Sequence, residues 1–366
     1  MTQVTMSTDT EMSFLPNGEQ EELVTLTKAV LENISTDERI ANIDAQPGTW
    51  DTEQYRTLIE TGILEALIGD EDDPGMGMQG LILVAEQCGR YLARVPLVPT
   101  ALAAQILQEA DQHGEVEKVL NGDMTVAVAV PDALSTVSMD DGKLSGHCGY
   151  VFAGGMASHL LVLAPDGAVG LVAVDAPGVT VSTTGWGYTE DLAISFDTSI
   201  SHVTVIDPLV TQHSRSRWNV AQAALVTGAC RSAIARTASY VSERHQFGAP
   251  LSTKQGVALR AADAHIDTEA IWLTTMNAAA AVDNPAEDPG QTARFAAEAA
   301  WWANTAGVRV VHATQHLHGG MGADTDSHIH RFFTFVRGLA IALGPADDLL
   351  DTLGKAIISL PKGGLS

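Results

Sequence analysis

One stretch of about 34 residues, 212–245, constrains the fold of this chain more than any other feature of its sequence. It contains no proline and only one glycine, Gly228, and its alanine and leucine residues recur with the period of an α-helix. A helix of that length spans about 50 Å and is stabilised mainly by packing against long neighbours. We therefore predict a C-terminal four-helix bundle over 209–366. Comparable helical patterns follow over 253–283, 291–317 and 327–343, with a last one from about Ala346.

The character of the sequence differs on the two sides of Asn121-Gly122-Asp123. Before it, helical patterns recur, the first opened by a capping-box pair, Asn17 and Gln20. After it, short β-branched segments are bounded by Gly, Pro, Asp or Ser, which is typical of a small antiparallel barrel or sandwich. The predicted fold class is therefore α+β, in the order α, β, α. The predicted parts are a disordered tail over 1–12, an N-terminal α-helical domain over 13–122, a middle β-barrel domain over 123–208 and the C-terminal bundle.

Charge and cysteine content exclude several classes of protein. Lys and Arg number 20 against 45 Asp and Glu, for a net charge of −25, which argues against binding to nucleic acid or to anionic lipid. No apolar run of about 18 residues and no secretory signal is visible. Three widely spaced cysteines form neither a disulfide framework nor a metal motif. We expect a cytoplasmic protein whose cysteines are small buried hydrophobic residues.

Two motifs in the C-terminal third carry chemistry. The first is Arg244-His-Gln-Phe-Gly-Ala-Pro-Leu-Ser-Thr-Lys-Gln255, and the second is His316-Leu-His-Gly-Gly-Met-Gly322. An arginine at the end of a long helix can bind a diphosphate through two parallel hydrogen bonds. A phenylalanine beside it offers a flat apolar face to an adenine, and glycines let the backbone approach a ligand closely. Taken singly, each motif also fits ordinary structure, the first a helix C-terminus and the second a loop between helices.

These motifs, with His330-Arg331-Phe-Phe333 and the order of the domains, resemble the acyl-CoA dehydrogenase family. The resemblance covers about 13–355 and implies an FAD-dependent α,β-dehydrogenation of an acyl-CoA. In that family the two motifs hold the adenosine diphosphate end of the FAD seated in a neighbouring subunit. The resemblance thus implies seven cofactor-binding residues here: Arg244, Gln246, Phe247, Gln255, His316, Gly319 and Gly320.

The middle of the chain departs from the family pattern. A family motif like T-E-P-x-A-G-S-D shapes the site for substrate and flavin, but the corresponding stretch, 128–137, keeps none of its polar residues. A second motif like W-I-T-N corresponds to Tyr150-Val-Phe-Ala153. Phe152 replaces a threonine whose hydroxyl would bond the flavin ring, and an unsatisfied polar edge of that ring would be costly.

The third departure concerns the catalytic base, for which the resemblance implies one of two positions. Leu343 occupies one of them and Ser216 the other. Leucine cannot accept a proton, and a serine without an activating partner is a poor base. Asp347 and Asp348 lie about one helical turn beyond the expected position and are the remaining substitutes. We therefore assign no catalytic residue.

With a nucleotide motif but no catalytic base, the chain resembles the degenerate subunit of certain actinobacterial acyl-CoA dehydrogenases. These are α2β2 tetramers that act on steroid side-chain CoA thioesters. By this resemblance, the chain completes the FAD site of a catalytic partner subunit, which would hold most of the acyl-CoA. Two alternatives stay open. One is a free-standing acyl-CoA dehydrogenase or oxidase with an unrecognised base, and the other is a flavin-free binding module of the same fold.

Three further patterns have simpler interpretations. The histidines of the C-terminal third lack the carboxylates or thiols that would complete a metal site, so no metal is predicted. Trp301 and Trp302 are expected to pack between helices. The acidic run at 70–73 lacks the ligand spacing of a calcium loop and is expected to be solvated.

Overall fold

A computed structural model describes residues 16–358 apart from 47, 71–72, 74, 132–135, 185–187, 247 and 286–289. The predicted tail over 1–12 therefore lies outside the described residues. None of the described helices is long and apolar enough to cross a membrane. Cys88, Cys148 and Cys230 are free and buried, as expected of small hydrophobic residues.

Helices form the first part of the described chain. The predicted capping box opens α1, since the Gln20 amide donates to the Asn17 side chain and the Asn17 amide donates to the Gln20 side chain. Two of these helices, over 52–60 and 63–68, meet near Gly62. The elements are α1 (Gly18–Ile34), α2 (Asp37–Asp44), α3 (Thr52–Glu60), α4 (Ile63–Ile68), α5 (Gly77–Arg90), α6 (Leu97–Glu109) and α7 (His113–Leu120).

Two four-stranded sheets follow, in the orders β1-β4-β5-β8 and β2-β3-β7-β6. All the described pairs within them are antiparallel except β1 with β4, where Val126 lies opposite His159 in a parallel ladder. Buried side chains from both sheets, such as Leu160 and Ile194, form one apolar core. The strands are β1 (Val126–Ala129), β2 (Ser138–Asp140), β3 (Lys143–Val151), β4 (His159–Leu163), β5 (Val169–Ala173), β6 (Val179–Thr183), β7 (Leu192–Ser199) and β8 (Val203–Ile206).

Long helices make up the rest of the described chain. The predicted long helix is α9, which has 30 residues, and its single glycine has a packing role. A side chain at Gly228 would collide with the backbone of Glu86, and one at Gly89 with that of Leu225, so these glycines let α9 and α5 lie in close contact. The elements are α8 (Pro208–Thr211), α9 (Ser214–Glu243), β9 (His245–Gln246), β10 (Ala249–Pro250), α10 (Gln255–Asp283), α11 (Gln291–Leu317), α12 (Ile329–Leu343) and α13 (Ala346–Ile358).

Candidate nucleotide-binding site

The first motif lies where α9 ends and the chain turns back into α10. Arg244 leaves the helix with an extended backbone, and its amide still donates to the Tyr240 carbonyl at 2.9 Å. The short hairpin of β9 and β10 reverses the chain, and the Leu251 amide donates to the Arg244 carbonyl at 2.9 Å. The hairpin therefore brings Gln255, the first residue of α10, back towards the end of α9.

The side chains of this motif are open to solvent. Arg244, Gln246 and Gln255 are exposed, and Arg244 forms no salt bridge or side-chain hydrogen bond with another described residue. An exposed guanidinium without a carboxylate partner can bind an anionic ligand without first breaking an ion pair. Phe247, the predicted adenine-stacking residue, lies outside the described residues.

The second motif begins in the last turn of α11, where His316 is exposed. Gly319 has φ +59 and opens a short 3-10 turn, Gly319–Ala323. A Cβ atom built on Gly319 or on Gly320 would meet no atom within 4 Å. Their backbone therefore faces open space that a ligand can approach. We call the six described members of the predicted cofactor-binding set the nucleotide clamp: Arg244, Gln246, Gln255, His316, Gly319 and Gly320.

A stacked pair of rings connects the two motifs. The ring of Tyr240 lies on the ring of His318 with 4.4 Å between centroids and 19° between planes. His318 is buried, unlike its neighbour His316. The structure thus places both motifs at the same end of the bundle, as a joint dinucleotide site requires.

An open groove of about 840 Å³ runs between α10 and α11 and reaches the clamp at His316. Beside it, Leu259, Ile266 and Leu273 are spaced seven residues apart along α10 and are 56%, 65% and 59% exposed. We call these three residues the apolar stripe. Seven-residue spacing of exposed apolar residues on a helix is typical of a contact with another helix. Among the residues that the structure describes, no group of three or more His, Cys, Asp or Glu could hold a metal ion.

Aromatic side chains pack together at the segment that corresponds to the family's flavin-ring motif. Phe152 is buried and contacts Phe335, with 6.0 Å between ring centroids, and Phe335 meets the edge of Tyr188 at 5.5 Å. We call Phe152, Tyr188 and Phe335 the aromatic plug. Tyr188 was missed from the sequence, because nothing in its neighbourhood points to a contact with α12.

A buried carboxylate, Asp191, bonds groups that directly follow two plug residues in the chain, the Ala153 amide after Phe152 and the Thr189 hydroxyl after Tyr188. Asp191 accepts a hydrogen bond from the Tyr150 hydroxyl at 2.6 Å, another from the Ala153 amide at 2.8 Å, and a third from the Thr189 hydroxyl. Burial outweighs these bonds and raises the pKa of Asp191 to about 6. Sequence reasoning missed Asp191 as well, since its partners Tyr150 and Ala153 lie about 40 residues away in the chain.

The two positions expected for the base meet in one cleft. Ser216 from α9 and Leu343 from the end of α12 both line a space of about 290 Å³, and so does Asp348 from α13. Leu343 is buried, whereas Asp347 is exposed and does not line the cleft. We call this space the base cleft. Among the described residues that line it, Asp348 is the one carboxylate.

The third predicted motif contributes to packing. Arg331 is buried near the start of α12 and forms a salt bridge with Asp44 of α2 at 2.5 Å. Arg217, directly after Ser216, is also buried and forms a bidentate pair with Glu109 at the end of α6. Both arginines thus connect the C-terminal helices to the N-terminal ones.

Comparison with known proteins finds relatives along nearly the whole chain. A family model for the C-terminal domain of acyl-CoA dehydrogenases matches residues 210–358. Acyl-CoA dehydrogenase FadE27 of Mycobacterium tuberculosis is 30% identical over 376 aligned residues, which cover 96% of this chain and all of FadE27. Acyl-CoA dehydrogenase FadE28 of the same organism is 26% identical, over 94% of this chain and 98% of FadE28.

Solved structures show the same fold. A chain of the Tcur3481–Tcur3483 steroid ACAD G363A variant superposes with a TM-score of 0.85 at 32% identity, over 95% of this chain and 99% of that one. A chain of the ChsE4–ChsE5 complex from Mycobacterium tuberculosis superposes with a TM-score of 0.84 at 29% identity, over 96% of this chain and all of that one. The motifs, the fold and these similarities lead to one conclusion: this chain belongs to the acyl-CoA dehydrogenase family.

Proposed function

We propose that this chain is the non-catalytic subunit of a heteromeric, FAD-dependent acyl-CoA dehydrogenase. It would supply the adenosine diphosphate part of the FAD site to a catalytic partner, within an α2β2 tetramer. The observation that carries the proposal is a contrast within one chain. The nucleotide clamp is open and Arg244 has no partner among the described residues, while the region expected for a flavin ring is filled.

The clamp fits an adenosine diphosphate group. Arg244 would bind the pyrophosphate with its guanidinium, and the open backbone at Gly319 and Gly320 would lie close to the ligand. His316, at the position where the family resemblance implies glutamine, would donate from its ring. FAD, when bound, supplies the acceptor for the hydride that leaves the carbon β to the thioester. This chain's part is to bind and orient the end of the cofactor that does not react.

The plug region does not fit a flavin ring. Phe152 offers no hydrogen bond, and its position against Phe335 leaves the ring of Phe152 within the core. The Asp191 carboxylate already accepts hydrogen bonds from Tyr150, Ala153 and Thr189. We therefore assign no flavin chemistry to the middle region of this chain.

The base cleft supports the same division of work. Leu343 cannot take the proton from the carbon next to the thioester, and a catalytic carboxylate would have to come from the partner. One observation favours the alternative of a free-standing enzyme, namely that Asp348 lines the same cleft. Turnover by Asp348→Asn compared with wild type separates the two, because only a catalytic Asp348 would make the variant inactive.

The partner would lie against α10 and α11. Two clamp residues, Gln255 at the start of α10 and His316 at the end of α11, lie at one end of the groove between these helices. A partner whose FAD reaches the clamp must lie close to this face, and the apolar stripe gives it a surface to bury. The occupant we propose is the catalytic subunit itself.

We propose the CoA thioester of a steroid side chain as the substrate class. The support is similarity alone, since the Tcur3481–Tcur3483 protein is described as a steroid ACAD and is 32% identical over nearly the whole chain. None of the described site residues by itself selects a sterol.

Flavin content tests the proposal. The chain would be expressed alone and together with a candidate catalytic acyl-CoA dehydrogenase subunit, and the visible spectrum of each purified sample recorded. We expect a colourless chain alone and a yellow complex. A yellow, active chain on its own would support the free-standing enzyme, and a colourless complex would support the flavin-free binding module.

A further inference from the structure

Tyr240 contacts both halves of the nucleotide clamp. It lies one helical turn before Arg244 on α9, and its carbonyl accepts the Arg244 amide at 2.9 Å. This is the last backbone hydrogen bond of α9, because the backbone of Arg244 is extended. The backbone of Tyr240 therefore fixes the point from which the Arg244 side chain leaves the helix.

The side chain of Tyr240 reaches the second motif. Its ring stacks on the ring of His318, and its hydroxyl donates a long hydrogen bond of 3.4 Å to the His318 carbonyl. His318 is held from its other side as well, because its Nδ1 lies 2.8 Å from the Thr314 carbonyl, to which Nδ1–H donates. His318 directly precedes Gly319, where the backbone turns at φ +59.

A continuous series of contacts thus runs from Arg244 through Tyr240 and His318 to Gly319. We infer that Tyr240 and His318 are positioning residues, which hold the Arg244 backbone, from which the guanidinium projects, at a fixed place relative to the open glycine backbone. The inference rests on the proposed function, because it assigns these residues to the clamp's action on FAD. Neither residue belongs to the predicted cofactor-binding set.

A flexible clamp would bind less well, for a physical reason. Glycine backbone and a solvent-exposed arginine both have large conformational freedom, and fixing them on binding costs entropy. A ring stack that already orders the backbone beside Arg244 and Gly319 removes part of that cost from the binding step. An aromatic pair contributes up to about 1.5 kcal/mol, which corresponds to about tenfold in affinity.

The test measures the dissociation constant for FAD in the complex with the co-expressed catalytic subunit, after removal of bound flavin, and the melting temperature of each variant. Tyr240→Ala is expected to raise that constant about tenfold, with little change in melting temperature, because Tyr240 is half-exposed. Tyr240→Leu, which keeps apolar bulk but not the stack, should lose as much. Tyr240→Phe keeps the ring and should stay within about twofold of wild type.

A matched control exists in the same bundle. His312 of α11 meets Phe333 of α12 edge to face, with 4.8 Å between centroids, and this pair does not connect the two nucleotide motifs. Phe333→Ala should lower the melting temperature without changing the affinity for FAD. If Tyr240→Ala and Phe333→Ala weaken FAD binding alike, in proportion to their loss of stability, the positioning role is wrong.

The positioning role and the proposed function fail in different ways. If Arg244→Ala weakens FAD binding and neither Tyr240→Ala nor Tyr240→Leu does, the clamp is real and the positioning role is refuted. If Arg244→Ala has no effect either, the proposed function fails together with the inference. If Tyr240→Phe loses as much as Tyr240→Ala, the hydroxyl and not the stack is responsible, and the stack is refuted as the positioning contact.

Discussion

The nucleotide clamp and the aromatic plug are opposites in one chain. In the clamp, Arg244 is exposed without an ionic partner among the described residues, and Gly319 and Gly320 present open backbone. In the plug, Phe152 and its neighbours are buried, and the carboxylate of Asp191 has its hydrogen bonds within the protein. A surface whose charged and backbone groups lack partners within the protein can bind a ligand. A region whose polar groups already form hydrogen bonds within the protein has none left to offer.

Under the proposed function, this difference is the result of losing a site while the fold is kept. An empty space inside a protein forfeits packing contacts, so a cofactor pocket that is no longer used is stabilised by filling it. Aromatic side chains do this well, because each buries a large area. A clamp on the surface has no such cost and can persist wherever a partner still uses it.

The largest effect should come from emptying the plug. Phe152→Ala removes a buried aromatic side chain in contact with Phe335, and we expect the free energy of unfolding to fall by about 3–5 kcal/mol. Urea denaturation measures the loss. The isolated variant should still bind no flavin, and flavin binding by Phe152→Ala alone would show that the region is a blocked ring site that only this side chain closes.

The next largest effect concerns assembly. Ile266→Asp places a charge in the middle of the apolar stripe, and it should weaken association with the catalytic partner by at least about 2 kcal/mol, or roughly 30-fold. Analytical ultracentrifugation of the mixed subunits gives the affinity. Leu209→Asp is the matched control, since Leu209 is 86% exposed on α8 and outside the stripe. If both variants bind the partner with the affinity of wild type, α10 is not part of the interface.

Loss of the clamp arginine should have a slightly smaller effect. A charge-assisted hydrogen bond contributes about 1.5–3 kcal/mol, so Arg244→Ala should weaken FAD binding by the complex between 10-fold and 100-fold. Isothermal titration of the apo-complex with FAD provides the constant. Arg56→Ala removes the same charge from an exposed position on α3 and should leave FAD affinity unchanged.

The buried Asp191 should make the free energy of unfolding depend on pH by about 1 kcal/mol. The pKa of Asp191 is raised to about 6 in the folded chain, above its ordinary value of 3.8, so the folded state binds a proton more readily than the unfolded state between these values. This group therefore stabilises the fold as pH falls through about 6, and that contribution is absent at pH 8. Between pH 8 and 5.5 the wild type should gain about 1 kcal/mol relative to Asp191→Asn. Denaturant titrations at the two pH values test it, and identical pH dependence of the two proteins would contradict it.

The smallest effects are expected in the base cleft. Ser216→Ala, Asp347→Asn and Asp348→Asn should each leave turnover by the complex within about threefold of wild type, because losing a general base typically costs ~10²–10⁴-fold. Steady-state rates with an acyl-CoA substrate and an artificial electron acceptor measure this. A loss of 100-fold or more in any one of them, with FAD still bound, would make this subunit a catalyst.

Sequence reasoning succeeded where a property is local. The helical period along 212–245 predicted α9, and the capping pair Asn17 and Gln20 predicted the start of α1. It did not predict properties that depend on contacts with distant parts of the chain. The parallel pairing of β1 with β4 skips two intervening strands, and the reason for Gly228 is contact with the backbone of α5.

The same limit applied to the site. Arg244 and the glycines of the second motif could be predicted, because each belongs to a motif that is a short continuous run of residues. Tyr240 could not, since it looks like any other residue of a long helix until its contact with His318, 78 residues away, is known. The base positions Ser216 and Leu343 were predicted as separate alternatives, and only the folded chain shows them in one cleft.

The number of flavins per complex tests the central claim most directly. The purified complex would be denatured, the released FAD quantified by absorbance, and both subunits quantified in the same sample. If this chain contributes a clamp but no ring site, the complex holds one FAD for each catalytic subunit and no further FAD for this chain. That ratio is one FAD for every two chains. One FAD for every chain would mean that the plug region of this subunit binds a flavin of its own, which would contradict the division of work between the two subunits.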